Sequence, residues 1–425
     1  MSFPKGFMIG AATAAHQVEG NNKNSDYWLQ EQMPHSSFTE PSGIACDHYN
    51  RYKEDIKMLA DAGLNAYRFS VEWARIEPQE GVFDEAELEH YRDVIRCCRE
   101  NGLEPVVTLM HFTSPAWLIR KGGWEAESTV SDFARYAGYV AGKLGSELNY
   151  VCTINEANMG LQLAAIAKRF ELMAKQAAAK AAEGTVQVGM NFQKMMENMK
   201  YAAMENAEAF GTPQPQVFVS SRTPEGDALV MRAHRTAKEA VKKAAPHIKV
   251  GLTLSLHDLQ ALPGGEEYAE KAWDEELSHY IPYIDGDDFL GVQNYTRILY
   301  GPEGQLPAPE GAELTQMEYE FYPQGLENVI RKAARDFGGD LIVTENGIAT
   351  ADDSRRCEFI RQALAGTGKC IADGIPVKGY FYWSLMDNFE WQKGFAMQFG
   401  LVAVDRETLV RTAKPSLGCL GSFAR

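Results

Sequence analysis

The sequence predicts an α/β fold built on parallel strands. Three observations carry this: eight short apolar segments, helical patterns between most of them, and the near-continuous hydrophobicity of the short segments. Strands buried on both faces read as unbroken apolar runs, whereas half-exposed strands alternate. The strands are expected at Phe7–Ala11, Ala66–Val71, Pro105–Met110, Tyr150–Ile154, Lys249–Leu254, Phe289–Gln293, Leu341–Thr344 and Gly379–Trp383. Such alternation suits either a doubly wound sheet or a closed barrel. Neither a GxGxxG fingerprint nor a P-loop is present to favour a nucleotide-binding open sheet.

Helices are expected between these strands. Tyr49–Ala62 spaces Tyr52, Ile56 and Leu59 on one face and stops at Gly63. Ala86–Asn101 ends at Gly102, a glycine stop signal. Asp132–Leu144, Asp227–Ala245, Leu326–Phe337 and Cys357–Ala372 follow the same pattern. Between the fourth and fifth strands, residues 159–212 form an insertion. It holds an Ala-rich helical run, Leu161–Ala182, then a Met-rich one with Met190, Met195, Met196, Met199 and Met204. It is expected to add a helical layer or to wall a pocket.

Composition narrows the function. Lys and Arg number 42 against 58 Asp and Glu, a formal net charge of -16, which opposes nucleic acid and anionic membrane as partners. No apolar run approaches the roughly 20 residues that span a bilayer. The seven cysteines form no CxxC pair and no metal-like spacing with histidine, so reduced thiols in a cytoplasmic protein are expected. There is no HExxH motif, and neither a metal nor another cofactor is expected.

Two glutamates close predicted strands. Glu156 follows Thr153-Ile154-Asn155, and Glu345 follows Val343-Thr344 and precedes Asn346-Gly347. A carboxylate ending an apolar strand is costly unless it meets a polar pocket. Glycoside hydrolysis with retention needs two such groups, one to attack the anomeric carbon and one to move a proton. In a barrel both come from C-terminal strand ends.

Several segments resemble glycoside hydrolase family 1, the β-glucosidases and their relatives. They are Gly6–Gly20, Tyr67–Ile76, Thr153–Glu156, Asn294-Tyr295, Thr344–Gly347 and the long run Tyr382–Trp391, continued by Gly394-Phe395, Phe399–Leu401 and Val404-Asp405. The resemblance spans nearly the whole chain and is thin between about 158 and 285. It implies a single (β/α)₈ TIM barrel over residues 1–425 that acts on small β-glycosides, and it leaves homo-oligomerisation open. It implies Glu345 as nucleophile, with its pKa lowered by Arg68 and Tyr295, and Glu156 as general acid/base, with its pKa raised by Glu345. Asn155 resembles the residue that binds the sugar 2-OH. Gln17, His111, Glu390 and Trp391 resemble the clamp on the glycone hydroxyls, which Tyr295 also borders, and Trp383 resembles the floor under the ring. A carboxylate at 390 argues for unphosphorylated sugars, because it would repel phosphate.

The chain departs from the family pattern in three places. Ala157 replaces the proline that usually follows the acid/base, which predicts a freer backbone there. Phe112 replaces a tryptophan and so removes an N–H donor. The insertion replaces the usual segment after the fourth strand, and a Met-rich wall would suit an apolar leaving group. Hydrolysis of β-glucosides is the leading expectation. β-Galactoside or β-fucoside hydrolysis, transglycosylation, or a secondary-metabolite glycoside are alternatives. A non-catalytic sugar-binding relative is disfavoured, since both carboxylates are present.

Overall fold

Eight parallel strands close into a barrel in the computed structural model, which describes residues 3–175 and 189–424. They are β1 (Met8–Ala12), β2 (Ala66–Ser70), β3 (Glu104–Met110), β4 (Tyr150–Ile154), β5 (Lys249–Ser255), β6 (Phe289–Gln293), β7 (Leu341–Asn346) and β8 (Val377–Trp383). Each pairs with its chain neighbour, and β1 pairs with β8 in register Met8↔Gly379 to Ala12↔Trp383. That last pairing closes the barrel and excludes the open doubly wound sheet. All eight expected strands are present, with ends shifted by two residues or fewer.

Two apolar layers hold the barrel. Met8, Ala66, Val106, Cys152, Phe289, Ile342 and Phe381 pack together inside it. Ile9, Tyr67, Val107, Val151, Val250, Leu290, Val343 and Tyr380, the alternate residues, pack outward with the helices. This in-out alternation follows from the two-residue period of a strand. Gly10 allows β1 and β2 to approach: a Cβ there would lie 2.2 Å from the Ala66 carbonyl oxygen.

The expected helices form at His48–Asp61, Glu85–Glu100, Ser128–Leu144, Pro224–Ala244, Gly325–Phe337 and Asp353–Ala372. Several begin earlier than the apolar pattern indicates, because polar caps start them. Thr223 accepts from the Gly226 amide ahead of Pro224, and Asp352 accepts from the Ser354 amide.

The insertion contains helices Met159–Lys175 and Phe192–Phe210. Residues 176–182 of the expected Ala-rich helix lie outside the described residues. The second helix rests on residues 33–38 and 116–120. Glu205 accepts from the His35 ring at 2.6 Å, Lys194 donates to the Phe38 carbonyl at 2.5 Å, and Arg120 donates to the Ala209 carbonyl at 3.0 Å. Met190 is buried, but Met196, Met199 and Met204 are 71%, 64% and 70% exposed. These three line the solvent side of the helix and do not pack as an inner layer.

Short strands not anticipated from sequence complete the rim: a three-stranded sheet of Asp258–Ala261, Arg297–Gly301 and Gly304–Leu306, and a pair, Val402–Val404 with Arg411–Ala413. No described helix is long and apolar enough to cross a membrane.

Candidate active site

The C-terminal ends of the strands bring together all ten residues singled out in the sequence. Arg68 comes from β2, His111 follows β3, and Asn155 and Glu156 follow β4. Tyr295 follows β6, Glu345 lies in β7, and Trp383 ends β8, with Glu390 and Trp391 in the loop beyond. Gln17 reaches in from the helical turn after β1. All ten are nearly inaccessible to solvent.

Strand geometry aims Glu345 inward. Ile342 points into the barrel and Val343 outward, so strict alternation would turn residue 345 away from the interior. The register of β7 against β6 shifts between Val343 and Glu345. Such an irregularity adds a residue to the strand and re-aims the next side chain.

Glu345 is held on both oxygens. Arg68 Nη1 donates to Oε1 at 2.6 Å, and the Tyr295 hydroxyl donates to Oε2 at 2.5 Å. Arg68 Nη2 donates at 2.6 Å to Asn155 Oδ1, which also accepts from Gln293 Nε2 at 2.9 Å and lies 3.1 Å from the Thr253 hydroxyl. These donors fix the amide of Asn155. Its Nδ2 then donates to His111 Nε2 at 3.1 Å, which places the ring proton on Nδ1. Burial and the Arg68 charge drive the His111 pKa well below its usual value, so the ring stays neutral.

The carboxyl groups divide as a two-role site requires, although one expectation is corrected. Burial raises the Glu345 pKa above the usual carboxyl range, against the opposing pull of Arg68, Tyr295 and Gln293. The net lowering expected from sequence does not occur, because desolvation outweighs the ion pair. Glu156 is raised well above the usual range, by burial first and then by the charge of Glu345. Of the two, Glu345 has the arginine on its own oxygen and ionises first, while Glu156 retains its proton.

Glu156 adopts a left-handed backbone conformation, φ 44°. Its amide donates to the Thr253 hydroxyl at 2.9 Å, and the Ala157 amide donates to the Thr253 carbonyl at 3.0 Å. The backbone after Glu156 is therefore pinned, not freed, where the expected proline is absent. Phe112 turns into an aromatic cluster, 5.2 Å from Trp391 and 6.0 Å from Phe218 between ring centres.

At the far side, Gln17 Nε2 lies 3.3 Å from Glu390 Oε2 and donates to the Phe389 carbonyl at 2.8 Å. The N–H groups of Trp383 and Gly189 also favour the ionised Glu390 carboxylate. Burial, then the Glu345 charge, pushes the Glu390 pKa up to about 8 despite these donors. The insertion thus meets the site at Gly189: its carbonyl accepts from the Gln392 amide at 2.9 Å, and the Gln392 side chain accepts from the Asn191 amide at 2.8 Å.

Sequence reasoning missed Gln293, Thr253, Gly189 and Tyr319. Gln293 ends a predicted strand beside the quoted Asn294-Tyr295, so its position was a usable signal. Thr253 lies within predicted strand five, and nothing in the sequence marks Gly189. Tyr319 is buried beside Tyr295 and Trp383, and its hydroxyl meets no protein partner; the Glu390 and Glu156 charges both act on it. Gln17 Oε1 and His111 Nδ1 are likewise buried without a protein partner. A separate cavity of about 630 Å³ lies at the opposite barrel end, among Met8, Asn65, Glu104, Tyr150 and Lys249, where strands begin and these carboxylates are absent. Among the described residues no cluster of His, Cys, Asp and Glu could hold a metal.

Known proteins agree with this architecture. Residues 1–171 and 288–424 match glycosyl hydrolase family 1, and the gap covers most of the insertion. The chain is 45% identical to the β-glycosidase BGL167 across 100% of this chain and 97% of that one, with a TM-score of 0.88. It is 29% identical to a β-glucosidase of Agrobacterium sp. over 97% of this chain and 93% of that protein. It is also 29% identical to a bifunctional β-D-glucosidase/β-D-fucosidase of Bifidobacterium breve, over 98% and 96% respectively. With a closed barrel, two unlike carboxyl groups over its C-terminal end and a family match across most of its length, this chain belongs to glycosyl hydrolase family 1 and is a glycoside hydrolase.

Proposed function

We propose that the chain is an exo-acting retaining β-glycosidase for unphosphorylated β-glucosides, with Glu345 as nucleophile and Glu156 as acid/base. The observation that carries this is the unequal environment of the two carboxyl groups: Arg68 and Tyr295 occupy the oxygens of Glu345, while burial, and then the charge of Glu345, keeps the proton on Glu156.

In the first step, a Glu345 oxygen attacks the anomeric carbon while Glu156 gives its proton to the departing glycosidic oxygen. The product is a glycosyl ester on Glu345. Esterification removes the Glu345 charge, so the pKa of Glu156 falls, and Glu156 takes a proton from water as the water attacks the ester. The oxocarbenium-like transition state, with positive charge developing on the ring, gains from Asn155, whose remaining N–H is available to the 2-OH. Unpartnered Gln17 Oε1, His111 Nδ1 and the Tyr319 hydroxyl suit a ligand rich in hydroxyls. Glu390 contacts Gln17, Trp383 and the Gly189 amide, a set with no cation to receive a phosphate.

Glu345→Gln should abolish turnover of 4-nitrophenyl β-glucoside. Glu156→Ala should spare the first step for good leaving groups and stall the second, until azide restores turnover and yields the β-glycosyl azide. Near wild-type rates in Glu345→Gln would overturn the assignment. A β-fucosidase activity is the second reading, favoured by the bifunctional relative, and parallel assays on 4-nitrophenyl glucoside, fucoside and galactoside separate them. We also infer that residues 1–425 act as one catalytic unit and that it works in the cytoplasm, a reading supported by seven free cysteines.

A further inference from the structure

We propose that Thr253, inside the barrel at β5, is the positioning residue that sets the geometry of Glu156. It rests on the acid/base reading of Glu156 given above. The Thr253 side chain is fully buried. Its hydroxyl accepts from the Glu156 amide at 2.9 Å and lies 3.1 Å from both Asn155 Oδ1 and Gln293 Oε1. Its carbonyl accepts from the Ala157 amide at 3.0 Å. One residue therefore binds the backbone on both sides of the Glu156 Cα.

That double hold matters because of the backbone that it restrains. Glu156 has φ 44°, a region that non-glycine residues rarely occupy and that persists only where surrounding contacts over-determine it. A proline at 157 would stiffen this turn through its ring but could not donate a hydrogen bond. Alanine can, and here its N–H reaches Thr253. Removing the Thr253 hydroxyl leaves the Glu156 amide buried without an acceptor. Asn155 loses less, since Arg68 and Gln293 still donate to its Oδ1. The damage falls on the proton donor and spares the group that meets the 2-OH.

Leaving groups of different basicity isolate this role. Bond cleavage to phenolate or alkoxide needs the Glu156 proton, whereas 2,4-dinitrophenolate departs without it. In Thr253→Val, kcat/KM for phenyl or methyl β-glucoside should fall about 10–100-fold, the scale of an ångström-sized misplacement. For the dinitrophenyl glucoside it should stay within about threefold, and Thr253→Ser should recover most of the phenyl activity. The basic limb of the kcat/KM profile should also move in Thr253→Val, since that limb reports the Glu156 proton. Equal losses on both substrates, no loss on either, or a serine variant as poor as valine would each overturn the proposal. If Thr253→Val folds poorly, Thr253→Ala is read by the same criteria. Glu156→Ala, measured alongside, separates the two levels: a loss independent of leaving group in that variant overturns the acid/base reading itself.

Discussion

Burial dominates the chemistry of individual residues here, and it sets how the protein responds to pH. The proposed mechanism needs Glu345 ionised and Glu156 protonated, and the pKa of each is raised above the usual carboxyl range, chiefly by burial. The kcat/KM profile should be a bell whose two limbs lie above the ordinary carboxyl values of about 4. A profile already declining at pH 4–5 would contradict the raised pKa of Glu156. Asp26 offers a stability test. Burial lifts its pKa to about 7 from 3.8, although the Ser114 and Tyr27 amides oppose this. The folded state then holds a proton that the unfolded state has lost, so stability should decline as pH rises from about 4 to about 7. Asp26→Asn keeps an oxygen for both amides and mimics the protonated form. It should stabilise the protein at pH 8, by no more than about 4 kcal/mol, and have little effect at pH 4, as read by thermal unfolding. The ten candidate residues were legible in sequence because nearly all sit in the quoted motifs, most of them at strand ends. Thr253 and Tyr319 were not, since their roles come from what faces them across the barrel, and the sign of the Glu345 shift was hidden because desolvation depends on complete enclosure.

At the scale of elements, strands were read more faithfully than helix starts or rim structure. Apolar runs such as Phe289–Gln293 match their strands end to end, whereas Asp132–Leu144 starts four residues earlier, at Ser128, in a polar turn without apolar periodicity. Rim strands of three residues, such as Val402–Val404, carry too few residues to show a period. The insertion supplies the clearest element-level prediction. A Cβ on Gly189 would lie 2.4 Å from the Glu390 carbonyl oxygen and 3.0 Å from Glu390 Cγ. Gly189→Ala should displace the Glu390 carboxylate, raising KM for 4-nitrophenyl β-glucoside about tenfold with circular dichroism unchanged. An unchanged KM would show that the Gly189 contact is dispensable.

For the molecule as a whole, the pattern of elements left two topologies open, and only the β1–β8 pairing decides between them. Closure depends on close approach at β1. Gly10→Ala, with its Cβ 2.2 Å from the Ala66 carbonyl oxygen, should force β1 from β2 and destabilise the protein by about 2 kcal/mol or more. Chemical denaturation would show it as a lower midpoint.

The contact between Gly189 and the Glu390 loop has an engineering consequence. Grafting the 159–212 segment from a relative would also exchange the residues that bind the Gln392 loop beside Glu390. Chimeras built at those borders should change monosaccharide preference along with aglycone preference, and the two traits can be separated only by keeping residues 189–191 from the recipient.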